Sequence, residues 1–298
     1  MNQFLAVDIG GTSAKCALVG ADGALRPLEG FATGSAMTRA ELEQALLAIL
    51  SRAGQVDGVG ISTLGIVDPS RGAVLGGVEN MPCLTGLCPA ELLSSHRPGL
   101  PVRIVNDAAA AALGEQWLGA ARGCRSFVCA AFGTGVGGCV VLDGRPVEGM
   151  CHRAGEIGYW DYTGPEDYWE LSGSAQGLVA AARLRTGEPG LDGVAFFHRL
   201  AQEDPVCREL FASWTARTGR VFANIALLLD MERIVVGGGI SAQGEVLTAP
   251  LQAAMDACLP PDFRGACRVV PAALGNHAAL LGAVSALVQA DGKQHCKE

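Results

Sequence analysis

A strand that ends in a glycine-rich turn and returns at once as another strand occurs twice in this chain, and that repetition limits the possible folds more than any other feature. The first copy is Phe4–Asp8, an apolar run ending in Asp8-Ile9-Gly10-Gly11-Thr12. It returns as Ala14–Val19 and, after Ala21-Asp22-Gly23, continues into a third short segment, Ala24–Leu28. The second copy is Ser126–Phe132, which ends in Gly133-Thr134-Gly135, returns as Gly138–Leu142 and turns at Asp143-Gly144 into a third strand. Three short strands joined by tight turns make an antiparallel meander. Helical segments follow each meander. The chain therefore reads as an α/β protein of two halves of similar design, and such duplication predicts two lobes with a central cleft.

The segments between the meanders carry clear start signals. Thr38 and Glu41 have the spacing of a capping box, ahead of a helical stripe of Leu42, Leu46, Ile49 and Leu50. Val56–Ser62 and Val102–Val105 read as buried strands, and the second runs directly into Asn106-Asp107 and an alanine-rich helix over Ala108–Leu118. Further helices are predicted over Ser174–Leu184, over Pro205–Leu229 behind the cap Asp204, over Glu245–Cys258 and over Asn276–Gln289. Arg233–Val236 and Cys267–Val270 read as strands. Short crossovers near residues 106 and 276 predict a small lobe of 1–106 plus 276–298 and a larger lobe of 107–275.

Composition narrows the function. The net charge is −8, which disfavours nucleic acid as the main partner, because a phosphate backbone calls for clustered Lys and Arg. Residues 1–11 lack the basic and apolar regions of a signal peptide, and glycines interrupt the most apolar stretch, so neither a leader nor a membrane span is expected. The 11 cysteines are scattered without a Cys-x-x-Cys pair, as expected of reduced thiols in the cytoplasm.

Glycine lets a backbone approach a phosphate closely and turn its N–H groups inward. The turns Gly10-Gly11-Thr12 and Gly133-Thr134-Gly135-Val136-Gly137-Gly138 suit that task, with Thr12 and Thr134 adding hydroxyl donors, and Gly237-Gly238-Gly239 would pass a nucleotide without a side-chain clash. Asp8, at a strand end, is placed to hold Mg²⁺ through water. A lone glycine turn is most often just a hairpin turn. There is no G-x-x-x-x-G-K-[ST] loop, and these glycines join hairpin strands rather than opening a helix, so a dinucleotide-binding fingerprint fits poorly.

Taken in order, Asp8–Lys15 (DIGGTSAK), Asn106-Asp107 before an alanine helix, Gly133–Gly138 (GTGVGG), Ala154–Gly158 (AGEIG) and Gly237–Ile240 (GGGI) resemble the ROK family over residues 4 to about 288. That family contains bacterial glucokinases, N-acetylmannosamine kinases, fructokinases, β-glucoside kinases and repressors. The resemblance implies an actin-like ATPase (ribonuclease H-like) fold, usually homodimeric, that transfers phosphate from ATP with Mg²⁺ to a sugar. It implies Asp107 as catalytic base and Asn80, Asn106, Glu156 and Glu170 as ligands of sugar hydroxyls. The ATP would lie against Asp8, Gly10, Gly11, Thr12, Lys15, Gly133, Thr134, Gly135, Gly137, Gly238 and Gly239. Blander readings stand beside these. Asp107 has the place of a helix N-cap, Asn80 that of a turn asparagine, Glu156 that of a solvated loop residue and His152 that of a packed surface residue.

Two departures from the family pattern matter. Where most members have a histidine that binds zinc and sugar, this chain has Tyr159, and the following stretch, YWDYTGPEDYWE, contains no cysteine. A structural zinc site needs about four Cys or His ligands, so none is expected, and the aromatics Tyr159, Trp160, Tyr162, Tyr168 and Trp169 are expected to pack the loop instead. The chain then looks most like the zinc-less branch that includes β-glucoside kinases. The expected activity is phosphorylation of a hexose or β-glucoside, with O6 as acceptor; N-acetylmannosamine is the alternative substrate, and a catalytically silent sugar-binding regulator the alternative of another class. A DNA-binding repressor is disfavoured, because no helix-turn-helix module stands ahead of the first strand.

Overall fold

The computed structural model describes residues 2–295. Of these, the residues up to Arg122, those of Glu148–Arg153 and those from Asn276 on form one compact unit, and Gly123–Val147 with Ala154–Gly275 form a second.

In the first unit the expected meander is β1 (Gln3–Ile9), β2 (Ser13–Gly20) and β3 (Leu25–Ala32), each antiparallel to the next. Helix α1 (Arg39–Ala53) follows with its capping box formed: Glu41 N donates to Thr38 Oγ1 at 3.3 Å, and Thr38 N donates to Glu41 Oε2 at 2.8 Å. Its Leu42, Leu46, Ile49 and Leu50 are buried against Leu5, Val7, Val59 and Ile61. Every residue of β4 (Gly58–Thr63) is buried, as a parallel strand covered on both faces requires. A small hairpin, β5 (Ile66–Asp68) with β6 (Ala73–Gly76), and helix α2 (Pro89–His96) intervene before β7 (Val102–Asn106) and α3 (Asp107–Leu118). The sheet order is β3-β2-β1-β4-β7, with β4 parallel to both β1 and β7.

The second unit repeats this plan. Strands β8 (Phe127–Phe132), β9 (Val136–Leu142) and β10 (Arg145–Pro146) are antiparallel. Helices α4 (Trp169–Gly173), α5 (Ala175–Thr186), α6 (Gly193–Ala201) and α7 (Pro205–Leu229) follow, then β11 (Arg233–Gly237), α8 (Glu245–Cys258) and β12 (Arg268–Pro271). The order is β10-β9-β8-β11-β12, with β11 parallel to β8 and β12. Two sheets of identical connectivity make the duplicated α/β arrangement of the actin-like ATPases. Asp204 caps α7 as expected, its Oδ1 accepting from Val206 N at 3.0 Å and Cys207 N at 2.9 Å. The core centres on Phe132, whose ring meets Trp169, Trp214 and Phe222 edge-on at 5.8, 5.4 and 6.3 Å. Trp169 is fully buried there, so it serves the core rather than the loop that precedes it.

Helix α9 (Ala278–His295) belongs to the first unit, where it packs on α3, β1 and β4. Glycines let the helix backbones touch. A Cβ on Gly282 would lie 1.7 Å from the Ala110 carbonyl oxygen, and one on Gly114 would lie 2.1 Å from that of Ala278. This contact groups α3 with the first unit, whereas the sequence predicts a boundary just before it. Among the described residues no helix is long and apolar enough to cross a membrane.

Candidate active site

Parallel strands bring the first unit's candidates to one edge. In register, Ile9 lies beside Thr63 and Thr63 beside Asn106, so β1, β4 and β7 end together. Ligands of open α/β sheets bind outside such carboxyl ends. With neighbouring strands ~4.8 Å apart, the turn after β1 and the start of α3 lie about 10 Å from each other. On β1, Asp8 accepts a 2.7 Å hydrogen bond from Ser62 Oγ on β4. Burial pushes its carboxyl above the ordinary aspartate value, while the Ser62 hydrogen bond and the Lys15 charge pull the other way. The turn itself is pinned: Gly10 N donates to Ser13 O at 3.1 Å, Thr33 Oγ1 to Gly10 O at 2.6 Å, and Thr33 N to Thr12 O at 3.1 Å. Thr12 and Lys15 are exposed, and Lys15 Nζ donates to Asn276 Oδ1 at 3.4 Å.

The cap of α3 is Asn106. Its Oδ1 accepts from Ala108 N at 3.0 Å and Ala109 N at 3.2 Å, and its Nδ2 donates to Gly65 O at 3.1 Å. Asp107 is the first residue of the helix, with Oδ1 accepting from Ala108 N at 2.8 Å. Its carboxylate therefore stands at the positive end of the α3 dipole. Asn80 lies exposed in the turn before Pro82–Leu84. His152 is held in this unit between Asp68 Oδ1, 3.8 Å from Nε2, and Glu148 Oε2, 3.2 Å from Nδ1.

The second unit gathers its candidates in the same way. Ala131 on β8 pairs with Gly237 on β11, so the two glycine turns leave adjacent strands side by side. Gly238 has φ +83°, and a Cβ there would lie 2.1 Å from Phe132 O, so only glycine fits. Gly133, Thr134, Gly137, Gly238 and Gly239 are exposed, with Gly135 between them half-buried. Gly133 N donates to Gly135 O at 2.9 Å, Gln176 N to Gly133 O at 3.1 Å, and Val136 N to Glu170 Oε2 at 2.7 Å. Glu156 opens a single 3₁₀ turn, Ile157–Tyr159, that runs past Glu170: a Cβ on Gly158 would lie 3.0 Å from Glu170 Oε2. Loss of surrounding water, and then the like charge of Glu170, raise the Glu156 carboxyl above its ordinary value. Two carboxylates and an exposed glycine turn thus share one place in this unit.

Sequence reasoning missed Ser62 and Gly65, which hold Asp8 and Asn106. Ser62-Thr63 ends an otherwise apolar buried strand, and that polar ending was the available signal. Among the described residues no three His, Cys, Asp or Glu side chains gather as a metal centre.

The duplicated sheets with glycine turns at their carboxyl edges define an actin-like phosphate-binding protein. Residues 4–290 match the ROK family, and the chain belongs to it. It is 30% identical to the β-glucoside kinase of Klebsiella pneumoniae, over 83% of this chain and 84% of that protein. It is 34% identical to the N-acetylmannosamine kinase of Escherichia fergusonii, over 79% of this chain and 82% of that protein. It superposes with a TM-score of 0.79 on a ROK family glucokinase from Streptomyces griseus in complex with glucose and AMPPNP, at 29% identity and covering 97% of this chain and 100% of that one.

Proposed function

We propose that this protein is an ATP-dependent sugar kinase that transfers the γ-phosphoryl group to O6 of a hexose or β-glucoside, with Asp107 as base. The observation that carries the reading is the shared carboxyl edge of β1, β4 and β7, which sets an ionisable carboxylate at a helix start about two strand spacings from a pinned glycine turn.

Phosphoryl transfer depends on positioning and charge neutralisation more than on covalent chemistry by the protein. The Gly10–Thr12 and Gly133–Gly138 turns bind phosphate through backbone N–H groups, helped by the Thr12 and Thr134 hydroxyls, and Lys15 adds a positive charge. Gly238 and Gly239 make room for the nucleoside. Asp8, oriented by Ser62, suits one carboxylate contact to Mg²⁺ through water, and the ion would neutralise charge on the phosphates. Glu156 and Glu170 accept hydrogen bonds from sugar hydroxyls, with Asn80 and Asn106 as further ligands. Asp107 orients the acceptor hydroxyl and takes its proton as the O–P bond forms. No zinc enters this scheme, because Tyr159 and its cysteine-free loop offer no ligand set. We place the enzyme in the cytoplasm as a homodimer, and light scattering on a sizing column tests the dimer.

The 34% identity to an N-acetylmannosamine kinase keeps that sugar as a second reading. The test is ATP-dependent phosphorylation of glucose, N-acetylmannosamine, mannose, fructose, cellobiose and a simple β-glucoside by the wild type and Asp107→Asn, with Mg²⁺ and without added zinc. Turnover of one sugar, lost in the variant, supports the kinase. A folded wild type inert on every sugar favours the catalytically silent sugar-binding regulator.

A further inference from the structure

The chain has only 3 tyrosines, and all of them lie in the ten residues after Ile157–Gly158. The segment 160–169 is a closed hairpin. Trp169 N donates to Trp160 O at 2.8 Å across its neck, and Thr163 N to Asp167 O at 3.0 Å near its tip. Tyr159 and Tyr168 flank the neck, and their rings stack at 5.0 Å with planes 20° apart. Tyr162 stands 6.0 Å from each of them.

The three rings pack the loop against one another, as expected, with Tyr168 half-buried between them, but this packing leaves the other two largely uncovered. Trp169, at the same neck, turns inward and is fully buried, while Tyr159 is 53% and Tyr162 56% exposed. Large aromatic rings normally bury their faces, and a contiguous exposed group of them marks a binding surface.

The occupant follows from what the cluster borders. The 3₁₀ turn that begins at Glu156 ends at Tyr159, whose N–H donates to Glu156 O at 3.2 Å. Glu170 lies two residues beyond Tyr168, in the first turn of α4, and a Cβ on Gly158, the residue before Tyr159, would lie 3.0 Å from Glu170 Oε2. The aromatic cluster therefore borders the two segments that carry these carboxylates. A pyranose or aryl ring has a matching character, with an apolar face for stacking and hydroxyls or a glycosidic oxygen at its rim.

We propose that Tyr159, Tyr162 and Tyr168 form a shelf on which the second ring of a β-glycoside stacks, while Glu156 and Glu170 hold hydroxyls of the first. The shelf makes the enzyme prefer glycosides to free hexose, and it rests on the sugar-kinase reading above.

The test compares kcat/KM for phenyl β-glucoside and for glucose in the wild type, Tyr162→Ala, Tyr162→Leu and Tyr162→Phe, with thermal unfolding as a check on folding. Leucine keeps apolar volume without a flat face, so it reports on the shelf even if alanine disturbs the hairpin. The wild type favours the glycoside. Its glycoside-to-glucose ratio falls roughly three- to tenfold in the alanine and leucine variants, mainly through KM, and is restored in the phenylalanine variant, as expected for one aromatic stacking contact. An unchanged ratio in Tyr162→Leu overturns the shelf, as does a wild type that turns over glucose but refuses the glycoside. If the wild type phosphorylates neither, the kinase reading falls and takes the shelf with it.

Discussion

The carboxylate of Glu170 accepts a 2.7 Å hydrogen bond from the backbone N–H of Val136, so a residue expected at the sugar also fixes the glycine turn expected at the phosphates. Glu170→Gln keeps an acceptor for that N–H, whereas Glu170→Ala leaves it unpaired, a loss of about 1–3 kcal/mol. The alanine variant is therefore expected to raise KM for ATP and sugar together, and the glutamine variant chiefly KM for sugar. Steady-state kinetics with each substrate varied in turn separates the two. An unchanged KM for ATP in Glu170→Ala would mean that the turn holds its shape without this bond.

Burial and the Glu170 charge raise the Glu156 carboxyl, so it takes up a proton at higher pH than an ordinary glutamate. On the acid side, KM for sugar is expected to rise as pH falls, beginning above the usual carboxylate range. Glu170→Gln removes the like charge and shifts this limb to lower pH. The stability sign is opposite: the folded state binds the proton more tightly than the unfolded state, so stability falls as pH rises from the unfolded value through the folded one. Glu156→Gln is expected to raise the Tm of the sugar-free protein at neutral pH while weakening sugar binding, and calorimetry alongside kinetics checks both.

Asn106 caps α3, and in the proposed mechanism the next residue, Asp107, is the base. Asp107→Asn is expected to lower kcat roughly 10²- to 10⁴-fold, the usual contribution of a general base, with stability changed by no more than about 1 kcal/mol of helix-dipole energy. Asn106→Ala removes the cap of α3 and is expected to cost about 1–2 kcal/mol. Urea unfolding and initial rates on both variants test these roles. A stability loss in Asp107→Asn as large as that in Asn106→Ala would count against them.

At the α3–α9 contact, Gly282→Ala is expected to destabilise the protein by on the order of 3 kcal/mol, because its new carbon falls on the Ala110 carbonyl and the helices must separate. Since α3 begins at Asp107, the same variant is expected to lower kcat more than KM for ATP. Denaturation midpoints and kinetics at a temperature where the variant remains folded provide the check.

Much of this was legible wherever a local signal and the tertiary structure agreed. Thr38 with Glu41, and Asp204 with Pro205, announced helices that form as expected. The two strand–glycine–strand runs announced two sheets of one design. The elements missed were short. The hairpin β5–β6 and helix α2 hold too few residues for a period to emerge, though Pro89 at the first helical position and Asp192 before α6 were start signals. Side-chain direction was the other gap. Whether Trp169 turns to the core, or whether Asn106 rather than Asp107 caps α3, depends on partners such as Phe222 and Gly65 that are distant in sequence.

The glycine crossing of α3 and α9 also sets an order of assembly. Residues 119–277 separate the two helices, so the surface of α3 that carries Ala110 and Gly114 waits for a partner made long after it. Closing a contact over that length is slow and comes late. The stretch Ala154–Gly275 stays within the second unit and has its neighbours at hand sooner. The half of the protein synthesised first, with Asp8 and Asp107 in it, is thus expected to finish folding last, when the helix that carries Gly282 docks on α3.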